Sequence, residues 1–432
     1  MILRLFHLSR LLVVAVALLL AVLLSYLSIR NAIAVHDADL QTLQGYERAA
    51  RFEPGNFRNW YLLGRYWQYS LEDSDTARAI QTYVLALSLN PHSADIWSDL
   101  AAAYESEGNI SAARDAYQQA KRAYPLSPEM AWRYGNFLLR QGELGPAFSE
   151  VRRAVEIEPV RGAEALSRAL RVEPNIDLVL DRVLPPLPEA YVSAIQDQLQ
   201  DAHVSNSNAV KIWDRLAALH PHLPLYDSFA LVGTLTRQKQ FTEANRVWKQ
   251  AVAFAGFNNL ADPPGSILWD GGFESGLRGG GFAWTFPEGV RGVQMSFETR
   301  EKHSGNRSLR LLFDGRYNLH LAGPCHDVLV EPSTAYSFSA WVRTLSISTD
   351  QGIRFQLTPV GAPGASPALT EEVHGTQPWR RVAMPWSAGK DVREVQVCVA
   401  RLSSREADDK IQGMAWVDDV ALIPGLAEPP KP

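Results

Sequence analysis

The distribution of apolar and polar positions divides the chain into three parts. Residues 11–29 form a continuous apolar run without a formally charged side chain. Between about residues 39 and 257, apolar residues recur at the three-to-four-residue spacing of amphipathic helices. From residue 266 to residue 425, short runs of alternating apolar and polar residues are separated by Gly, Pro, Ser and Asp, which is typical of strands joined by turns. The sequence therefore predicts an apolar helix, a helical region and a β-rich region.

The apolar run Leu11–Ile29 is long enough to cross a membrane. Its 19 residues would span roughly 28 Å as a helix, close to a hydrocarbon core of about 30 Å. Arg4 and Arg10 precede it, so we predict a cytoplasmic tail at 1–10, a signal anchor at 11–29 in the inner (cytoplasmic) membrane, and the bulk of the chain in the periplasm or outside the cell. The alternative is a signal peptide cleaved after Ala34.

A 34-residue period organises the helical part. The prolines Pro91, Pro125 and Pro159 are each 34 residues apart, and each follows a pair of predicted helices. The units resemble tetratricopeptide repeats (TPRs), which implies an α-solenoid over residues 57–257. Three units fit well, and two fit weakly, after a connecting helix or half repeat at 30–56: Phe57–Ser93, Ala94–Ser127 and Pro128–Arg161, then Ala190–Pro221 and Leu225–Phe257.

The TPR resemblance implies a groove that docks a protein partner. In that family the first helix of each unit faces the groove, and here it carries arginine and aromatic residues of the kind that anchor interfaces. The predicted groove residues are Arg58, Tyr61, Arg65, Gln68, Tyr69, Trp132, Asn136 and Arg140, with Asp95, Ser98 and Glu105 between them. The alternative is a solvated helix face with Trp132 in the core.

The C-terminal part is predicted to be an antiparallel β-sandwich. After a linker at 258–265, the runs Tyr336–Arg343, Gly352–Thr358 and Val392–Val399 alternate, and we place the domain at 266–425 with a tail at 426–432. The motifs that follow one another in this region are Leu268-Trp-Asp-Gly-Gly-Phe-Glu274, His303-Ser-Gly-Asn-Arg-Ser-Leu309, Val330–Tyr336 and Trp416-Val-Asp-Asp-Val420. Their order resembles the jelly-roll carbohydrate-binding modules of the CenC type.

That resemblance implies a structural Ca²⁺ and a sugar-binding face. Glu274, Asp418 and Asp419 match the family's carboxylate positions, and carboxylate oxygens suit Ca²⁺. The alternative is that these carboxylates satisfy local backbone or arginine groups. Strand alternation offers a second face that could stack and hydrogen-bond a sugar, or be covered by a loop or by the solenoid: Trp341, Arg343, Arg354, Gln356 and Gln396.

Composition and short motifs limit the classes of function that this chain can have. The net charge of −5 gives no general footprint for nucleic acid. Cys325 and Cys398 are the only cysteines, so export would allow one disulfide, with two buried thiols as the alternative. The sequence contains no HExxH, GxSxG or P-loop motif, and we predict no enzymatic activity.

We therefore expect a membrane-anchored, exported interaction scaffold. Its TPR groove would dock a protein, and its sandwich would bind a glycan, in cell-envelope polysaccharide assembly or export by analogy with such domain pairings. The two alternatives are a purely structural scaffold whose sandwich has lost sugar binding, and a hydrolase with an unrecognised site.

Overall fold

The computed structural model describes residues 7–200, 207–258, 260, 262–276, 279–362 and 364–425. Residues 1–6 of the predicted cytoplasmic tail, residues 259 and 261 of the predicted linker, and the predicted tail at 426–432 lie outside the described residues. The chain forms two compact units that divide between Ser193 and Ala194.

The apolar run forms one long helix, α1 (His7–Asp39). Within it, Arg10–Asp39 is apolar and long enough to cross a membrane, and its most apolar stretch is not buried by the rest of the protein. The end of α1 packs on α2 (Leu43–Phe52), where Ala34 is only 1% exposed. The first helix is thus apolar and exposed along the predicted span, and joined to the folded unit at its C-terminal end.

Three consecutive helix pairs follow and confirm the predicted TPR region. They are α3 (Phe57–Tyr69) with α4 (Thr76–Leu89), α5 (Ala94–Ser106) with α6 (Ile110–Ala123), and α7 (Pro128–Arg140) with α8 (Leu144–Ile157). Small residues allow the two helices of a pair to approach closely. A Cβ on Gly64 would lie 2.6 Å from the Tyr83 ring, and one on Gly135 would lie 2.9 Å from Val151.

The carbonyls of two of the prolines that precede the units accept the same hydrogen bond from a tryptophan. The indole N–H of Trp60 donates to the carbonyl of Pro54 at 2.9 Å, and that of Trp97 donates to the carbonyl of Pro91 at 2.8 Å. Each tryptophan therefore joins the start of its unit to the end of the preceding one.

The sequence predicts one solenoid at 57–257, but the remaining helices are shared between the two compact units. They are α9 (Gly162–Leu170), α10 (Ile176–Val183), α11 (Pro188–Gln200), α12 (Ser207–Ala217), α13 (Phe229–Arg237) and α14 (Phe241–Phe254). Helices α12–α14 belong to the same compact unit as the sheets. The reason is aromatic packing, since Trp248 of α14 packs edge-on against Trp269 and Phe282, with ring centroids 5.2 and 5.7 Å apart.

Two antiparallel sheets follow, as predicted. Their strands are β1 (Val293–Glu298), β2 (Ser308–Asp314), β3 (Leu321–Leu329), β4 (Ala335–Ile347), β5 (Arg354–Pro359), β6 (Ala368–Leu369), β7 (Gly375–Ser387), β8 (Glu394–Arg401) and β9 (Gln412–Pro424). The five-stranded sheet has the order β1-β2-β9-β4-β7, and the four-stranded sheet has the order β3-β8-β5-β6.

One apolar core lies between the two sheets. Phe338 of the five-stranded sheet and Phe355 of the four-stranded sheet are fully buried, with ring centroids 5.1 Å apart. Alternate residues along the same strands, including Ala340, Val342 and Leu357, are buried with them. The alternation read from the sequence therefore assigns inward-facing positions correctly, because successive side chains of a strand point to opposite faces.

Candidate functional site

The first helices of the TPR pairs meet around one buried carboxylate. Asp99 of α5 is 4% exposed. It accepts a hydrogen bond from the Tyr61 hydroxyl at 2.9 Å and another from Arg133 Nη1 at 2.8 Å, while Arg65 Nε lies 3.8 Å away. Because Tyr61 and Arg65 belong to α3 and Arg133 to α7, Asp99 links three consecutive units. We call Tyr61, Arg65, Asp99 and Arg133 the Asp99 cluster.

The electrostatics of the cluster follow from this arrangement. Burial raises the pKa of Tyr61, and the charge of Asp99 raises it further, so the hydroxyl remains a donor. Burial lowers the pKa of Arg133, but its hydrogen bonds to Glu129 and Asp99 outweigh burial and raise that pKa overall. Tyr61 therefore stays a neutral hydrogen-bond donor and Arg133 stays charged throughout the physiological pH range.

Three of the predicted groove residues are open to solvent at the α3 end. Arg58, Arg65 and Tyr69 are exposed, and the Arg65 guanidinium lies over the Tyr61 and Tyr69 rings at 5.9 and 5.8 Å. In the part of the chain that the structure describes, the Arg58 guanidinium has no ion-pair partner. This end of the groove thus presents an aromatic and cationic surface, in which Arg58 has no ion pair with a described residue and Arg65 shares Asp99 with Arg133.

Two further predicted residues are occupied within the protein. Gln68 accepts a hydrogen bond from the Tyr83 hydroxyl at 2.6 Å and donates to the Asp99 carbonyl at 3.4 Å. Arg140 donates twice to the Glu105 carboxylate, at 2.7 and 2.8 Å. Both side chains therefore hold neighbouring units together.

The prediction that Trp132 and Asn136 face an open groove is wrong. They are 6% and 8% exposed. Arg161 and Arg168 cover the Trp132 ring at 5.6 and 5.3 Å, and Arg168 Nη1 donates to Asn136 Oδ1 at 3.1 Å. Arg161 at the end of the third unit and Arg168 of α9 therefore cover the first helix of that unit, which the repeat pattern alone does not indicate.

Asp99 and Arg133 were not among the predicted groove residues. A signal for them exists, since they occupy the same place in their units and are 34 residues apart. An acid and a base at one repeat position of successive units can meet wherever first helices are adjacent, as α5 and α7 are here.

The predicted sugar-binding face does not exist as one surface. Trp341 and Arg343 lie on β4 of the five-stranded sheet, whereas Arg354, Gln356 and Gln396 lie on β5 and β8 of the four-stranded sheet. All five point away from the shared core, so the two groups lie on opposite outer faces. Alternation identifies the side of a strand that a residue occupies, but not the sheet to which the strand belongs.

The three residues on the four-stranded sheet interact with protein groups. Arg354 is 9% exposed and donates to Glu372 at 3.1 Å. The Gln356 amide donates to Thr358 at 3.0 Å, and the Gln396 amide donates to Asp327 at 2.9 Å.

Trp341 lies in a more open setting on the five-stranded sheet. The His303 ring stacks on one face of its indole, with centroids 3.8 Å apart. Trp341 also lines a shallow cavity of about 380 Å³, together with Ser339, Arg381, Ser304 and Asp419. Arg343, by contrast, lies over the Trp416 ring and forms an ion pair with Glu301 at 2.6 Å.

The three carboxylates predicted to bind Ca²⁺ accept hydrogen bonds from the segment 303–307. Glu274 accepts from the backbone N–H groups of Asn306 and Arg307 at 2.6 and 3.1 Å. Asp418 accepts from the backbone N–H of His303 at 2.7 Å, and Asp419 from the Ser304 hydroxyl at 2.6 Å. Over the described ranges, no three His, Cys, Asp or Glu side chains form a group that could hold a metal. Calcium binding stays a prediction.

Cys325 of β3 and Cys398 of β8 are directly opposite each other and form a disulfide, with the sulfur atoms 2.06 Å apart. The structure thus pairs the two cysteines rather than burying two free thiols. The disulfide links neighbouring strands of the four-stranded sheet.

Comparison with known proteins supports the repeat region. The tetratricopeptide repeat family model matches residues 70–133. No curated protein sequence matches the chain significantly. This chain contains a TPR region.

Three solved structures are similar to part of the chain. One structure of MamA is 14% identical, covers 50% of this chain and 86% of its own, and has a TM-score of 0.25; for a second the values are 14%, 55%, 98% and 0.28. YrrB, described as a TPR protein with an unusual peptide-binding site, is 13% identical, with coverages of 50% and 95% and a TM-score of 0.26. These TM-scores are too low to carry a functional argument.

Proposed function

We propose that this protein is a membrane-anchored interaction scaffold that docks a partner through its TPR groove and acts by binding rather than by catalysis. The observation that carries the proposal is the open surface of α3, where Arg58, Arg65 and Tyr69 are exposed near the buried Asp99 carboxylate. Arginine and tyrosine are enriched among residues that dominate binding energy. The Asp99 cluster fixes the neighbouring backbone, which lowers the entropy cost of docking.

The chemistry of this surface favours an extended acidic segment with an apolar or aromatic side chain. Arg65 lies between Tyr61 and Tyr69, so its guanidinium is oriented while one side stays accessible. A carboxylate of the partner could bind it in a bidentate manner, and a planar side chain could pack on Tyr69. Arg133 and Arg140 contribute less, because Asp99, Glu129 and Glu105 already neutralise them.

The membrane anchor rests on α1. The helix continues beyond the apolar run to Asp39, and Ala34 packs on α2 instead of lying in an accessible segment. Arg30 Nη2 lies 3.8 Å from Glu53 Oε1, a second contact between α1 and the folded unit. These contacts favour an uncleaved anchor over cleavage after Ala34.

Site-specific photo-crosslinking tests the groove. A benzophenone amino acid at Tyr69, 54% exposed, is compared with one at Val84 of α4, 48% exposed. We expect a discrete adduct from position 69 that is lost in the Arg65→Glu variant, and none from position 84. Equal adducts from both positions, or an adduct insensitive to Arg65→Glu, would refute docking at this surface.

A second candidate function is glycan binding at the Trp341 cavity, as the CenC resemblance implies. The support is local, since an indole, an arginine, two carboxylates and two hydroxyls surround one cavity of about 380 Å³. Envelope polysaccharide would be the natural ligand of an exported protein. A glycan array with the full chain and its Trp341→Ala variant tests this. Absence of binding, or binding that the substitution does not change, would leave the sandwich as a structural module.

A further inference from the structure

A second cavity, of about 560 Å³, lies in the unit that contains α13, α14 and the sheets. Three carboxylates line it, Asp327 of β3, Glu394 of β8 and the exposed Asp391, and Phe282 provides an apolar wall. Exposed cations line its outer part: Arg237 at the end of α13, Lys239 just after it, and Arg393 before β8. Its volume lies within the range of small-molecule sites, about 300–1,000 Å³.

The register of the two strands holds the carboxylates on one face. Asp327 is opposite Gln396, and Leu329 is opposite Glu394, so Asp327 and Glu394 are diagonal neighbours on the outer face of the sheet. Diagonal partners in an antiparallel pair have Cα atoms about 7–8 Å apart. The Gln396 amide donates to Asp327 at 2.9 Å and orients it. One ligand group can therefore contact both carboxylates.

Glu394 is the unusual member of the pair. It is only 9% exposed, yet its carboxylate has no hydrogen bond or ion pair with any described residue. Arg237, Lys239 and Arg393 share the cavity, but none of them pairs with Glu394 or Asp327 in the described part of the chain. Burial and then the charge of Asp327 raise the pKa of Glu394 to about 7. Buried polar groups are nearly always hydrogen-bonded, so an unpartnered carboxylate facing a cavity points to a missing donor.

We propose that this cavity binds a small ligand through a primary ammonium group held between Glu394 and Asp327. Carboxylates only accept hydrogen bonds, and an ammonium offers three donors and a compensating charge. The cations at the mouth favour hydroxyl or carboxylate groups on the outer part of the ligand, as in an unacetylated amino sugar or an amino acid. This site is separate from the groove and from the Trp341 cavity, so the proposal does not rest on either proposed function.

Matched probes isolate the ammonium group. Glucosamine, N-acetylglucosamine and glucose share one ring and differ at a single substituent, and lysine carries the same ammonium on an amino acid. Isothermal titration calorimetry of the full chain in detergent measures each. We expect glucosamine, lysine or both to bind at least tenfold more tightly than the two neutral sugars, and the stronger probe identifies the source.

Two variants complete the test. Glu394→Gln keeps the shape of the side chain but removes its charge, and should lower the affinity for the ammonium probe at least tenfold. Glu288→Gln, at an exposed carboxylate outside the cavity, should leave that affinity unchanged. The proposal is overturned if no ammonium probe binds, if the neutral sugars bind as tightly, or if Glu394→Gln binds like the unmodified chain. If the melting temperature of the Glu394→Gln variant equals that of the unmodified chain, a loss of binding is not a loss of folding.

Discussion

Replacing Asp99 by alanine should loosen the TPR region more than any other single change to its polar side chains. The substitution removes the acceptor of the Tyr61 and Arg133 hydrogen bonds and the nearby charge at Arg65. Hydrogen bonds to a charged group contribute about 1.5–3 kcal/mol each, and breaking a fully buried ion pair costs about 3–5 kcal/mol. The Arg133 side chain is 40% exposed and keeps Glu129, so a loss of about 3 kcal/mol is expected.

Hydrogen–deuterium exchange of α5 in the full chain measures this loss locally, which matters because the two compact units need not unfold together. A decrease of about 3 kcal/mol corresponds to exchange roughly a hundredfold faster. Asp95→Ala is the matched control, since Asp95 is an exposed carboxylate one helical turn earlier and should change stability by less than about 0.5 kcal/mol. If Asp99→Ala is as mild as Asp95→Ala, the cluster does not hold the three units together.

Three further outcomes follow from the structure. Burial raises the pKa of Asp418 from 3.8 to about 7, so its stabilising contribution is complete below pH 4 and is lost as pH rises through 7. The free energy of unfolding of the sheet unit, measured by chemical denaturation, should fall by about 2–3 kcal/mol between pH 5 and pH 8. The Asp418→Asn variant should show a smaller fall. An equal fall in the variant, or a stability restored by Ca²⁺ at pH 8, would contradict this assignment to Asp418. Reducing Cys325–Cys398, which closes a loop of 73 residues, should destabilise the same unit by about 2–4 kcal/mol, and an unchanged melting temperature under reductant would count against this. N-terminal sequencing of the protein from membranes should find an uncleaved anchor, whereas a start at Val35 would mean that the segment is removed.

Prediction from the sequence succeeds for features that depend on residues close together in the chain. The apolar run, the three regular repeat units and the inward positions of the strands each depend on a periodicity that one element sets by itself.

The errors arise where a side chain meets a partner distant in the sequence. Trp132 has the spacing of a groove residue, but Arg161 and Arg168 cover it. Trp341 and Arg354 both point outward, but strand pairing places them in different sheets. Neither outcome follows from composition or periodicity, since each depends on which elements become neighbours.

The contacts between α1 and α2 bear on where a partner can reach the groove. If Leu11–Ile29 spans the bilayer, the ten helical residues that follow extend the chain by about 15 Å, through the headgroup region. Ala34 and Arg30 then join that helix to α2, and α2 packs on α3. The open surface of α3 would therefore lie close to the membrane, in the same unit as the anchor. A partner that is itself held at the membrane would meet this surface at a high effective concentration, so that a modest affinity for Arg65 and Tyr69 would suffice.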